Sequence, residues 1–151
     1  MNIWIDGDAC PKQVKDILYR AATKRKVPLW IVANHVANIP NSSLIKRVVV
    51  DPGFDKADQY ILEHIEEHDL VITSDTLLAE HVLAHKALAL STRGLLYTDS
   101  NIKQIVAMRN VNELLRSSGL IQGGQNKLHQ KEMVMFANHL DRIITRFHRI
   151  H

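Results

Sequence analysis

The chain has 151 residues and a mass of 17.2 kDa, so we expect one domain over residues 1–151, because two would each be too small for a good core. Hydrophobic residues at 46% and charged residues at 23% are typical of a soluble globular protein and exclude a disordered tail. The apolar runs are too short for a membrane span, and Asp6 interrupts the position of a signal peptide's apolar region. Cys10 is the single cysteine of the sequence, which excludes an internal disulfide and suits a reducing cytoplasm. We therefore expect a cytoplasmic protein, and the short apolar runs predict no membrane partner.

The net charge of +3 is unevenly distributed. Residues 51–80 contain nine acidic residues and one basic residue, whereas residues 127–151 contain five basic residues, two acidic residues and four histidines. An acidic centre can bind metal ions and a basic tail can contact phosphate, but two solvated helix faces of opposite charge explain the same distribution.

Short apolar runs alternate with longer periodic ones along the chain. Five strands are predicted, at Asn2–Asp6, Leu29–Val32, Lys46–Val50, Leu70–Thr73 and Ala87–Leu90. Five helices are predicted, from Pro11 to about Lys26 and at Phe54–Glu67, Thr76–His85, Asn101–Arg116 and Gln130–His148. Asn34–Ser43 and Gln122–Asn126 are predicted loops, and Asp99 is a candidate cap for the fourth helix. This alternation predicts an α/β fold of three layers, α/β/α, around a mainly parallel sheet.

Aspartates follow two of the predicted strands. Asp6 and Asp8 follow the first strand and Asp75 follows the fourth, while Asp55 and Asp58 are spaced to share a helix face. Ligands of parallel sheets bind at the carboxyl ends of the strands, and converging carboxylates need a cation such as Mg²⁺ or Mn²⁺. The alternative is structural, with Asp55 and Asp75 capping helices and Asp8 forming a turn. The joint placement favours the metal site.

Five motifs stand in an order that resembles a known family: Asp6–Pro11, Asp51–Asp58, Val71–Asp75, Ser91–Gly94 and Met108–Asn110. With Phe136–Arg142 near the end, they resemble the bacterial YaiI/YqxD family over nearly the whole chain. The chain departs from that pattern at Gly7, where alanine is usual, and at Leu77-Leu78, where a proline usually precedes the leucine.

The resemblance implies a PIN-like domain, of a superfamily of mostly metal-dependent nucleases related to the NYN ribonucleases. It implies that Asp6, Asp58 and Asp75 are catalytic metal ligands for Mg²⁺ or Mn²⁺, with Asp8 as an auxiliary ligand. The implied partner is nucleic acid, with RNA favoured over DNA.

Four further residues are candidates for substrate binding. The resemblance places Arg93 and Arg109 in shared motifs, and arginine suits bidentate phosphate contacts, although Arg109 has Glu113 as an alternative partner. Lys12, at the start of the first helix, is placed to meet phosphate, and Ser74 is placed either to contact phosphate or to cap the next helix.

Two other functions remain open. A phosphatase of the haloacid-dehalogenase type would use Asp6 as a nucleophile, with Asp8 and Thr73 in supporting roles. A non-catalytic RNA-binding or regulatory module would bind through the basic C-terminal helix in a salt-dependent manner. We expect Cys10 to be buried, the histidines to be exposed on helices, and Trp4 and Trp30 to lie in the core.

Overall fold

The strands of the protein form one six-stranded sheet in a computed structural model, which describes residues 1–120 and 128–151. The strands are β1 (Ile3–Asp6), β2 (Leu29–Ala33), β3 (Ile45–Val49), β4 (Leu70–Ile72), β5 (Leu88–Leu90) and β6 (Leu96–Tyr97). Their order is β3-β2-β1-β4-β5-β6, and every neighbouring pair is parallel except β5 and β6. The predicted mainly parallel sheet is therefore confirmed.

Helices cover both faces of the sheet. They are α1 (Lys12–Arg25), α2 (Lys56–His64), α3 (Thr76–Ala84), α4 (Ile102–Ser117) and α5 (Gln130–Ile150). Because side chains alternate along a strand, Ile3 and Ile5 pack with α1 and α5, whereas Trp4 packs on the opposite face with α2, α3 and the start of α4. These two cores confirm the three-layer α/β/α architecture.

The observed elements differ from the predicted ones at a few places. The second helix is shorter than Phe54–Glu67, because Asp55 has a left-handed φ of 62° and Ile65 is extended. The fourth helix is preceded by Asn101 at its N-cap position, so the prediction that Asp99 caps it was wrong. Strand β6 was not predicted, and the predicted loop Gln122–Asn126 lies outside the described residues.

The aromatic and cysteine predictions are confirmed. Trp4 is buried and its ring stacks on that of half-buried Trp30, with 5.2 Å between the ring centroids. Cys10 is buried, and burial raises the pKa of its thiol to about 12, so it is an unreactive packing residue. Within residues 1–120 and 128–151, no helix has the length and apolar character that a membrane span requires.

Candidate metal centre

The order of the strands creates a crevice at the carboxyl end of β1. The chain builds β2 and β3 on one side of β1, and then crosses back to place β4 on the other side. Such a reversal of strand order is the place where open α/β sheets bind their ligands. Asp6 ends β1 and Asp75 follows β4, and both line a cleft of about 590 Å³ at this point.

Three carboxylates converge in this cleft. Asp55, Asp58 and Asp75 each offer an oxygen, and these oxygens lie within 4.8 Å of one another. Asp58 and Asp75 were predicted as ligands, whereas Asp55 was considered only as a neighbour of Asp58 or as a helix cap. Asp55 does occupy the N-cap position of α2, but its side chain makes no capping hydrogen bond. The three-residue spacing of Asp55 and Asp58 is the feature of the sequence that could have identified Asp55 as a member of this group.

Asp75 caps a helix and also belongs to the three-carboxylate group. Its Oδ1 accepts hydrogen bonds from the backbone N–H groups of Leu77 and Leu78, at 3.0 and 3.2 Å, so it caps α3. Its own N–H donates to Thr73 Oγ1 at 3.0 Å. The cap fixes the carboxylate in the cleft, and within the described residues no hydrogen bond engages Oδ2.

Asp6 and Asp8 line the cleft without joining the three-carboxylate group. Asp6 Oδ1 accepts hydrogen bonds from the N–H groups of Asp8 and Ala9, which fold the chain back over it. Asp8 Oδ2 accepts from the N–H of Asn34 at 3.0 Å, and Asp8 Oδ1 lies 2.9 Å from His35 Nδ1. Asp8 therefore ties the loop after β2 to the loop after β1, and its role as an auxiliary ligand stays a prediction.

Gly7, between these two aspartates, packs closely against β2. A Cβ at this position would lie 2.7 Å from Ile31 Cγ2 and 3.2 Å from Ala33 Cβ, both on β2. Because Ile31 is fully buried, its methyl group cannot move into solvent. The absence of a Cβ lets the turn that carries Asp6 and Asp8 lie directly against the sheet.

The negative charges of the cleft act on one another. Burial, together with the charges of Asp75, Asp6 and Asp55, raises the pKa of Asp58 to about 6. Burial is also the main reason why the pKa of Asp6 is raised, and the charge of Asp8 adds to it. A cation bound among these carboxylates would offset their mutual repulsion.

Two cationic residues among those described line the cleft, Lys56 and Arg109. Arg109 is half-buried, and its guanidinium donates to Asn110 Oδ1 at 3.1 Å. Its alternative partner, Glu113, lies instead 3.5 Å from Arg116. Within residues 1–120 and 128–151, Arg109 has no carboxylate partner, so its charge is available to an anionic ligand.

The other predicted substrate residues are distributed differently. Ser74 lines the cleft, and its hydroxyl lies 2.6 Å from that of Thr92. Lys12 is exposed outside the cleft lining, whereas Lys15, which was not predicted, donates to the carbonyl oxygen of Gly7 at 2.6 Å. Arg93 also lies outside that lining, and its Nη1 donates to both carboxylate oxygens of Glu132 on α5, at 2.9 and 3.1 Å.

The donor set of the cleft fits a hard divalent cation. Carboxylate oxygens are the ligands that Mg²⁺ and Mn²⁺ prefer, and the three-carboxylate group contains neither the imidazole nor the thiolate ligands typical of zinc. The hydroxyl of Thr76 adds a polar atom at this site, because it is buried in the cleft lining and has no hydrogen-bond partner within the described residues. The residues present therefore fit Mg²⁺ or Mn²⁺.

The comparisons with known proteins agree with the motifs. The model of the family described as "Uncharacterized BCR, YaiI/YqxD family" matches residues 4–146. A UPF0178 protein of Legionella pneumophila is 51% identical over 142 residues, which cover 94% of this chain and 96% of the relative. A UPF0178 protein of Colwellia psychrerythraea is 48% identical over 147 residues, which cover 97% of each chain. No solved structure gives a significant match. The chain belongs to the YaiI/YqxD family.

Proposed function

We propose that the protein is a Mg²⁺- or Mn²⁺-dependent nuclease that hydrolyses phosphodiester bonds, with RNA favoured over DNA. One observation carries the proposal: three carboxylate oxygens lie within 4.8 Å of one another at the point where the strand order reverses. The resemblance of the family to PIN-like nucleases supports the choice of reaction, and its relation to NYN ribonucleases supports RNA.

Six charged residues of the cleft have a part in the proposed reaction. Asp55, Asp58 and Asp75 hold the ion, and Asp6 adds negative charge close to them. When bound, the ion would polarise the phosphodiester, lower the pKa of a water and stabilise the leaving oxygen. Arg109 and Lys56 bind phosphate oxygens, because an otherwise acidic cleft would repel an anionic substrate. Water adds to phosphorus and loses a proton, the P–O bond to the leaving oxygen breaks, and that oxygen takes up a proton from solvent to leave as a hydroxyl.

The proposal is tested by the Asp75→Asn variant. Asparagine caps a helix about as well as aspartate, so the variant keeps α3 while it removes a charged ligand. We expect Mn²⁺ affinity, measured by paramagnetic broadening of backbone amide signals, to fall by at least about tenfold, since even the partners of metal ligands are worth that much. Cleavage of single-stranded RNA should be lost with it.

The matched control is Asp51→Asn, which removes the same charge from the same cleft but outside the three-carboxylate group. It should retain Mn²⁺ binding and cleavage. If Asp75→Asn binds Mn²⁺ and cleaves RNA as the wild type does, the proposed site is wrong. If Mn²⁺ binds but no preparation cleaves nucleic acid, the nuclease proposal is wrong and a non-catalytic RNA-binding or regulatory module is the function that remains.

A further inference from the structure

Phe54 has no role in the packing of the protein. Its side chain is 90% exposed, more than any other large hydrophobic residue of residues 1–120 and 128–151. Within those residues, its ring makes no aromatic contact. Since exposing an aromatic ring to water costs free energy, the fold itself does not account for a phenylalanine at this position.

The backbone presents this ring beside the acidic site. Phe54 lies between Gly53, with a φ of 148°, and Asp55, with a φ of 62°, so the chain turns sharply on both sides of it. Asp55 belongs to the three-carboxylate group, and Phe54 itself lines the same cleft. The exposed ring is therefore one residue from a proposed metal ligand.

A nucleobase is the chemical group that fits this combination. The metal ion and Arg109 would hold the phosphates of a nucleic acid in the cleft. The bases of the same nucleotides present flat apolar faces. A base stacks on an aromatic side chain only when it is not already stacked and paired in a duplex. The low aromatic content of 5% argues against an extended stacking surface but not against a platform for one base.

We propose that Phe54 is a stacking platform for one unpaired nucleobase, which makes single-stranded nucleic acid the substrate class of this site. The inference rests on the proposed function and deepens it, because the ring selects among nucleic acids while the carboxylates perform the chemistry.

The test compares Phe54→Leu and Phe54→Trp with the wild type. The probe is a short phosphorothioate RNA that resists cleavage and carries one 2-aminopurine, in Mn²⁺ buffer, as a single strand and as a duplex. Phe54→Leu should weaken single-strand binding about 5- to 150-fold, the equivalent of one base–aromatic stack of about 1–3 kcal/mol. It should leave duplex binding unchanged. Phe54→Trp should retain the affinity and the quenching of 2-aminopurine fluorescence that stacking produces.

Leu114→Ala is the matched control, because Leu114 is 69% exposed and lies outside the cleft lining. Wild-type affinity in Phe54→Leu, or an equal loss in Leu114→Ala, would overturn the stacking role. Mn²⁺ broadening of the amide signals around Asp58 is recorded in the same samples. If those amide signals do not respond to Mn²⁺, the proposed metal site is wrong. The stacking role of Phe54 is judged separately, from the 2-aminopurine fluorescence of the wild type and of Phe54→Leu.

Discussion

Asp58 makes the stability of the metal-free protein depend on pH. Its pKa in the folded protein is about 6, above the ordinary value of 3.8, so the folded state binds the proton more tightly than the unfolded state. This contribution to stability is complete below pH 4 and is lost as the pH rises from about 4 to about 6. Ionised Asp58 therefore destabilises the metal-free protein at neutral pH.

We expect Asp58→Asn to be more stable than the wild type above pH 6 in the presence of a chelator. The amide stays neutral, so it avoids the cost of burying a charge and the repulsion from Asp75, Asp6 and Asp55. After allowance for solvent screening at a half-buried site, the gain is about 1 kcal/mol, or roughly 2–4 °C in melting temperature. Thermal unfolding at pH 4 and pH 7.5 measures it. A gain of equal size at both pH values would show that charge is not the cause.

Asp69 shows why an acidic run in the sequence does not identify its functional members. It is only 2% exposed and accepts hydrogen bonds from the N–H of Asn2, the indole of Trp4 and the N–H of Glu66. It therefore stabilises the opposite end of β1, whereas Asp55 and Asp58 serve the cleft. The spacing of the acidic residues points to Asp58, which does lie in the three-carboxylate group. Only the tertiary contacts of Asp69 show that it does not belong to that group.

The loop that follows β5 is attached to the first turns of α5. Gly94 has a φ of 88°, and a Cβ there would lie 2.8 Å from both Met135 Cβ and the backbone nitrogen of Phe136. Arg93 adds an ion pair with Glu132, in which Nη1 donates to both carboxylate oxygens. The close approach of the loop to α5 explains why residue 94 is a glycine. Together with the Arg93–Glu132 ion pair, it fixes the N-terminal end of α5.

We expect Gly94→Ala to destabilise the protein by about 1–3 kcal/mol more than Gly119→Ala. Both glycines have left-handed φ values, 88° and 78°, but a Cβ at Gly119 meets no atom of the described residues within 4 Å. The backbone penalty is shared, so the difference between the two variants measures the packing against α5. Urea unfolding gives both free energies. Equal losses would mean that α5 moves away without cost.

At the level of elements, the sequence predicts what depends on local periodicity. The amphipathic patterns locate the five helices, because each places apolar residues in one of the two cores. Strand β6 has only two residues and is formed by antiparallel pairing of Leu96 with Leu90 and of Tyr97 with Ala89. A segment this short has no hydrophobic period of its own, so its strand conformation depends on its pairing with β5.

For the whole molecule, the strand order is the feature that the sequence could not supply. Alternating strands and helices predict a parallel sheet with aspartates at its carboxyl edge, and this was confirmed. They do not reveal that β1 lies between β2 and β4, which is what brings Asp6 and Asp75 into one cleft. The pairing of Arg93 with Glu132 of α5, outside the cleft lining, likewise depends on tertiary structure.

Binding of Mn²⁺ or Mg²⁺ should stabilise the entire fold. An ion that binds only the folded state at one hundred times its dissociation constant adds about 2.7 kcal/mol, which raises the melting temperature by roughly 5–11 °C. Scanning calorimetry with metal or with chelator measures the shift, and Asp75→Asn should show little of it. A wild-type melting temperature that is indifferent to millimolar metal would contradict the site.

The position of α5 also has a consequence for synthesis of the protein. Phe136, Leu140 and Ile144 are buried in the same core as Ile3 and Ile5 of the first strand and Leu18 of α1. The ribosome therefore delivers the first strand long before the residues that cover it. Until α5 emerges from the ribosome, the part of this core that Phe136, Leu140 and Ile144 cover remains open to water, so α1 alone protects this face of the sheet during that time.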